Sequence, residues 1–292
     1  MLLTFDIIIT AVVVMALTIA SLFDIKTREI PDWISYGLLS FVIITRALQS
    51  ILMKNHAYIT YSLMYFAIFF IFGNLMYFTK QWGGGDTKLI TSLGTAFAVK
   101  PAYISANSII PFPIIILVNI LIVGAIYGTF YAVTLAFRHA KEFKAEFIKL
   151  NSEKKIKIMK IFMLAAALLI MILSYASFPS GSKHLGAYLA LISLLLPYLI
   201  MTLKSVELSC MYKRLKPSAL TEGDWVQEDI YKDKKLIYKI NQYGIDKKSI
   251  EKIKKSRIKS VLVKEGIPFI PSFWLGTIIA LYLGKIIFLP LI

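Results

Sequence analysis

The sequence predicts an all-α polytopic membrane protein. It has about eight transmembrane helices, the fourth short, and a small cytoplasmic α/β insert before the last. Three observations predict this. Of 292 residues 58% are hydrophobic, and the mean hydropathy of +0.70 lies far above that of a soluble globular chain. Several apolar runs reach the roughly 20 residues needed to cross a bilayer. The basic residues gather in alternate loops, as those of cytoplasmic loops do.

In chain order, the hydrophobic segments run over about 4–23, 33–53, 58–79, 87–100, 111–137, 160–178, 184–203 and 268–291. The first has no basic stretch before it and carries Asp6, so it is expected to be a retained span and not a cleavable signal. Asp32, after Pro31, reads as a capping acid for the second span. Arg46, toward that span's outer half, is expected to snorkel. Asn74 and Asn119 read as interhelical hydrogen-bond partners. The fourth segment is short and partly polar, as suits a tilted helix packed inside the bundle. Pro111 and Pro113 open the fifth, where a missing N–H matters little.

A membrane core thus covers 1–137, a basic loop 138–159 and an additional helix pair 160–203. The insert is 204–267 and the final helix 268–292. The insert holds sixteen bases and nine acids. Its apolar anchors are Trp225, Val226, Ile230, Leu236, Ile237, Tyr238 and Ile240, too few for stability alone. Asp246 followed by Ser249 to Lys259 predicts a short capped amphipathic helix. The chain re-enters the membrane through Ile267-Pro268-Phe269-Ile270-Pro271.

Counting Lys and Arg loop by loop places 28 on one side and 3 on the other, the turn 179–183 contributing only Lys183. The basic side is expected to be cytoplasmic and both chain ends to lie outside. The net charge of +16 then faces anionic lipid, and no nucleic-acid partner is expected. Cys210 is the single cysteine, which excludes a disulfide framework and a multi-cysteine zinc site. His56, His139 and His184 are scattered, so no metal and no cofactor are expected.

One stretch organises the rest: Gly83-Gly84-Gly85-Asp86-Thr87-Lys88, between two apolar runs. A carboxylate at a membrane edge is costly, and its default reading is functional. The glycines remove side chains that would keep another backbone away and permit φ > 0 for a sharp turn. The bland alternative is a Gly-rich turn with Asp86 as N-cap. The phosphate-binding pattern G-x-x-x-x-G-K-[ST] is absent. A second acid, Asp24, follows the first span as Asp86 follows the third. One helical hairpin lies between them, so the two share a membrane face. Glu29 reads as a solvated loop charge. Two close carboxylates suit peptide hydrolysis without a metal: one stays protonated and polarises the carbonyl, while the other takes a proton from water. An extended substrate could lie against the bare glycine backbone, as in strand addition. The reading from a different class is a transporter or ion carrier with Asp24 and Asp86 as a proton or cation site. Such proteins tend to show repeats and midplane sites, whereas no repeat is visible here and both acids lie at one edge.

The stretch Asp24-Ile25-Lys26-Thr27-Arg28-Glu29-Ile30-Pro31-Asp32, followed by Gly83-Gly84-Gly85-Asp86-Thr87-Lys88, resembles the type IV prepilin peptidase family, GxGD aspartyl proteases of membranes. The resemblance covers about residues 8–137. Pro111-Phe112-Pro113 and the entry to the last span resemble the archaeal branch, which includes the prearchaellin (preflagellin) peptidases. The resemblance implies an aspartic endopeptidase of the cell membrane, with its site on the cytoplasmic side. Its substrates would be type IV pilin-like or archaellin precursors, cut between a short basic leader and a hydrophobic helix. Asp24 and Asp86 would be the catalytic pair. Gly83, Gly84 and Gly85 would allow the substrate backbone to approach, with Lys26 and Lys88 as supporting residues. With one cysteine and a short first loop, the zinc-binding loop and methyltransferase activity of bacterial members are not carried over. Spans six and seven look like an extra pair beside the shortest archaeal members. The Pro-Ala-Leu motif of the presenilin branch is not found.

Overall fold

The computed structural model describes residues 2–288 apart from 107, 178–182, 234 and 242–243. The turn expected at 179–183 lies outside them, save for the backbone of Lys183. In chain order the helices are α1 (Leu2–Thr27), α2 (Asp32–Leu52), α3 (Ala57–Phe78), α4 (Gly84–Ala96), α5 (Phe112–Arg138), α6 (Ala140–Ser152), α7 (Lys154–Ser177), α8 (Lys183–Cys210), α9 (Lys247–Lys255) and α10 (Ile270–Leu283). The strands are β1 (Tyr212–Leu215), β2 (Trp225–Val226), β3 (Ile230–Lys232), β4 (Lys235–Tyr238) and β5 (Val261–Lys264). Two compact units divide the chain, one of Met1–Gly128 with Ile267–Ile292, the other of Thr129–Gly266.

Six helices among the described residues (α1, α2, α3, α5, α7 and α8) are long and apolar enough to cross a membrane. A chain of this kind is a multi-pass membrane protein. The expected count of eight is not reached on length: α4 has 13 residues and α10 has 14, short of the roughly 20 a span takes.

In the first unit each long helix buries one stripe and turns the rest outward. On α1 the stripe is Ile9, Val13, Leu17, Ala20 and Asp24, at the three- and four-residue spacing of one helix face. On α2 it is Ile34, Leu38, Val42, Arg46 and Gln49. The short α4 is different: nine of its 13 residues are buried. It lies in the core beside α2 and α3. Gly94 receives the Phe69 ring, and a Cβ there would come within 2.3 Å of it. Gly276 of α10 meets the backbone of Ile120 on α5, where a Cβ would lie 2.6 Å from the Ile120 Cα. Asn119 ties α5 to the chain after α10, donating to the Lys285 carbonyl at 2.9 Å and accepting from the Ile287 N–H at 2.7 Å. Asn119 is a hydrogen-bonding residue as expected, but its partner is backbone beyond α10 and not another helix. Asn74 departs from expectation and bonds within its own helix, to the Phe70 carbonyl at 2.7 Å. Arg46 does not snorkel: it is 1% exposed, because a carboxylate and a helix end await it inside the unit, as described below.

The second unit contains α6, α7, α8 and a small α/β piece. The segment expected as a basic loop over 138–159 is largely the helix α6, whose Phe143 packs against Ala132, Val206 and Cys210. Cys210 ends α8 and is buried. The α/β piece follows. Strand β5 is central in an antiparallel sheet of order β1-β5-β2, with Tyr212 opposite Lys264 and Val226 opposite Val263. Strands β3 and β4 form a separate hairpin with an irregularity after Ile230. The core is Leu220, Val226, Ile230, Tyr238, Ile245, Ile250, Ile253, Val261 and Val263. Of the expected anchors, Leu236 and Ile240 are exposed instead, because the buried positions of β3 and β4 are Ile230 and Tyr238. The expected helix is α9. Asp246 is its N-cap, accepting from the Ser249 N–H at 3.3 Å, and it ends at Lys255, ahead of the expected Lys259.

Candidate active site

Asp24 lies in the last turn of α1. That helix stops at Thr27 because Arg28 takes a left-handed φ of 60°, while the Arg28 N–H still closes on the Asp24 carbonyl at 3.0 Å. The Asp24 carboxylate belongs to the buried stripe and is 7% exposed. Its Oδ2 accepts from the Ile270 N–H at 2.9 Å. Ile270 begins α10, and the first N–H groups of a helix have no partner inside it. An acid there satisfies one of them and meets the positive end of the helix dipole. Arg28 is within electrostatic reach of the same carboxylate.

The bland alternative made Asp86 the N-cap of α4. The helix begins earlier, at Gly84 with Gly83 as N-cap, so Asp86 sits inside its first turn. From there the carboxylate reaches back and accepts from the Gly83 N–H at 2.8 Å. This is one half of a capping box; glycine has no side chain to complete the other. Asp24 and Asp86 are near enough for their charges to act on each other. The end of α1 thus meets the start of α10, and the start of α4 carries Asp86 within electrostatic range of Asp24.

The glycines divide. None of the three takes a positive φ, and Gly83 has φ −77° and ψ 168°, open to any residue. The freedom for φ > 0 that the glycines permit is therefore not used; the chain enters α4 in an extended conformation. Gly85 is needed for space, since a Cβ would stand 2.6 Å from Cδ1 of Ile30. Around Gly84 the nearest atom to a Cβ would be Tyr77 Cε2 at 4.0 Å, and Gly83 would meet only Asp86 Oδ2 at 3.5 Å. Lys88 pairs with Asp32 and lies 4.8 Å from the centre of the Tyr36 ring, so it is engaged on α2. Lys26 and Glu29 are exposed. On the same flank as Lys88 a groove of ≈ 460 Å³ is lined by Ser35, Tyr36, Phe66, Phe70, Asn74 and Gly84, among others.

Sequence reasoning missed Ile30, Trp82, Phe269 and Ile270. Trp82 is buried, with ring centroids 5.4 Å from Phe273, 5.6 Å from Phe72 and 6.1 Å from Phe269, a wall of aromatic rings immediately before the glycines. A signal existed for Ile270: Pro271 marks the first turn of a helix, which implies free N–H groups just there. Nothing in the sequence named Asp24 as their acceptor. Among the described residues no group of three or more His, Cys, Asp or Glu is placed to hold a metal ion.

Asp24 and Asp86 both fall in a stretch with known relatives. Residues 11–133 match the model of the type IV leader peptidase family. The same region is similar to preflagellin peptidases of two archaea. The chain is 34% identical over 125 residues to that of Methanocaldococcus jannaschii, covering 41% of this chain and 50% of the relative. It is 31% identical over 134 residues to that of Methanococcus maripaludis, covering 43% and 56%. The chain therefore spans about half the length of the curated relatives it matches. No solved structure matches. The resemblance drawn from residues 24–32 and 83–88 agrees with the leader peptidase match and with the archaeal origin of these relatives.

Proposed function

We propose that this protein is a membrane aspartyl endopeptidase that removes the short basic class III signal peptide from prepilin-like or prearchaellin subunits at the cytoplasmic membrane face. The observation that supports the reading is that Asp24 and Asp86, from two helices, lie within electrostatic range of each other and inside the leader peptidase match. Close like charges do not readily both ionise, so the working pair shares one proton. The ionised carboxylate takes a proton from water as the water oxygen bonds to the scissile carbonyl carbon. The protonated one gives its proton to the carbonyl oxygen. Collapse of the tetrahedral species breaks the C–N bond: the first carboxylate returns its proton to the leaving amine, and a hydroxyl of the tetrahedral carbon gives one back to the second carboxylate, which restores the pair. The N–H groups of Ile270 and Gly83 hold the two carboxylates in place.

In this reading the catalytic core is 1–137 with the last helix, and 138–159, 160–203 and 204–267 are additions to it. Counting α4 and α10 as short membrane helices beside the six long ones gives the expected eight. The groove beside α4 supports the substrate class. Lys88 and Asp32 pair near its Gly84 end, and Phe66 and Phe70 line it further in, a gradient that suits a segment passing from polar to apolar.

The test is cleavage of a purified pre-subunit in detergent. Asp24→Asn and Asp86→Asn each abolish nearly all turnover, and the double variant is scarcely worse, because groups acting as a unit are not additive. Glu29→Gln and Asp32→Asn keep substantial activity. Robust cleavage by either catalytic variant removes that residue from the mechanism.

A further inference from the structure

A buried charge network lies toward the other end of α1 from Asp24, and the proposed chemistry makes no use of it. Asp6 of α1 and Arg46 of α2 are 3% and 1% exposed and pair at 3.4 Å. Arg46 Nη1 also donates to Gln49 Oε1 at 2.7 Å, and Nη2 to the carbonyl of Ala96 at 2.6 Å. Ala96 is the last residue of α4. Asp6 Oδ2 accepts from the N–H of Ala102, just beyond that helix, at 2.9 Å. The guanidinium therefore joins the α1 carboxylate to the free end of α4. A buried ion pair is weak evidence for stability, since apolar side chains of the same size often serve as well. Its position calls for a different account.

Helix α4 needs an anchor. Three of its residues are glycine, and Thr91, Ser92 and Thr95 bond back to carbonyls four residues earlier at 2.8, 3.0 and 2.7 Å. Such back-bonding weakens and bends a helix. Its first turns bond to α3 and α2 through Thr87 to the Gly73 carbonyl, Lys88 to Asp32 and Ser92 to the Ser35 carbonyl, and beyond Ser92 its sides meet them through apolar packing, which is non-directional. The bond from Arg46 is directional and charge-assisted, and it falls where a helix favours a cation. Asp86 stands ten residues before Ala96, roughly 15 Å along the same rod. A shift of one end along or about the helix axis is passed to the other through the hydrogen-bonded turns between them.

We infer that Arg46, held by Asp6 and Gln49, is a positioning residue for Asp86: it sets the height and rotation of α4, and with them the meeting of Asp86 and Asp24. The inference rests on the peptidase reading for its kinetic consequence, but its geometric consequence stands independently. Displacement of a catalytic group by about 1 Å costs up to about 100-fold in rate.

The experiment uses the full chain in detergent and two variants. Asp6→Leu with Arg46→Met removes both charges at similar volume, so no buried charge is left unpaired. Arg46→Lys keeps the charge beside Asp6 but replaces the planar fork, whose Nη1 and Nη2 serve Asp6 and Ala96 separately, with a single ammonium. For each, thermal melting reports folding, and pre-subunit cleavage reports kcat and KM separately. A third readout needs no activity: the rate at which a short thiol reagent bridges Asp24→Cys and Asp86→Cys in a Cys210→Ala background. The expected result is a folded variant whose kcat falls about 10- to 100-fold, with KM little changed and bridging altered severalfold. Wild-type kcat in a folded variant, a change in KM alone, or a lost kcat with unaltered bridging overturns the inference. If the double variant does not fold, Arg46→Lys decides; if neither folds, the network is a folding element and the inference fails. Full activity of Asp24→Asn or Asp86→Asn would refute the peptidase reading alone, leaving the bridging result to judge the positioning.

Discussion

Single residues at the candidate site carry separable duties, and the glycines show this best. Gly85 is filled against Ile30, so Gly85→Ala forces a Cβ to within 2.6 Å of a side chain in the loop that follows Asp24. Overpacking of this kind costs about 1–3 kcal/mol. We expect a lower melting temperature and reduced cleavage, both largely restored when Ile30→Ala is added. Failure of Ile30→Ala to restore either would mean that Gly85 answers to something other than Ile30. Gly84 has open space around it, and an alanine early in a helix is tolerated or stabilising by up to about 1 kcal/mol. Gly84→Ala should therefore leave melting unchanged or raised. If cleavage nevertheless falls, the missing side chain serves a passing substrate; if cleavage is unchanged, the substrate does not press on Gly84.

Among the elements, α4 and α9 are held by opposite means. Helix α4 is a weak helix former kept in shape by its surroundings. Helix α9 is held at its start by a local device, the bond from the Ser249 N–H to Asp246. Hydrogen bonding from Ser249, first by its side chain and then by its N–H, holds the Asp246 carboxyl below the usual carboxylate range. A carboxyl whose folded pKa is depressed stabilises the fold fully above its unfolded value, about 3.9, and this contribution is lost as pH falls through the folded value. Protection of the α9 amides against hydrogen exchange should thus decline below about pH 4, after correction for intrinsic rates. Asp246→Ala should lower protection at neutral pH and remove this part of the acid response. Asp224 acts with the opposite sign, since burial raises its carboxyl, so the comparison is made between wild type and the Asp246 variant and not across pH alone.

At the scale of the whole molecule, orientation and metal independence are the open tests. Cys210, the single cysteine, is buried at the end of α8, so its labelling would report burial as much as sidedness. In a Cys210→Ala background, Glu29→Cys and Lys54→Cys occupy exposed positions on either side of α2. An impermeant maleimide should label Lys54→Cys in intact cells and Glu29→Cys only after the cells are opened. The reverse pattern would put Asp24 and Asp86 on the wrong face for the proposed substrates. Cleavage should persist in strong chelator; loss that Zn²⁺ restores would sink the two-carboxylate mechanism.

Which segments leave water was readable from the sequence, because transfer from water to lipid is a property of the segment itself and scales with its apolar surface. Helices α1, α2, α3, α5, α7 and α8 follow from that, as do the two acids, whose rarity at a membrane edge marks them. Helix α6 was hidden because its charges mimic a loop and its apolar face is legible only against Ala132, Val206 and Cys210. The tertiary structure alone decided what each polar group meets. Asp24 takes its donor from Ile270, 246 positions away. Gly85 is glycine because of Ile30, and Arg46 turns inward because Asp6 and the end of α4 lie within reach. A buried charge and a missing Cβ have no energy of their own to read in one dimension; each is settled by a partner that only the packing of distant helices supplies.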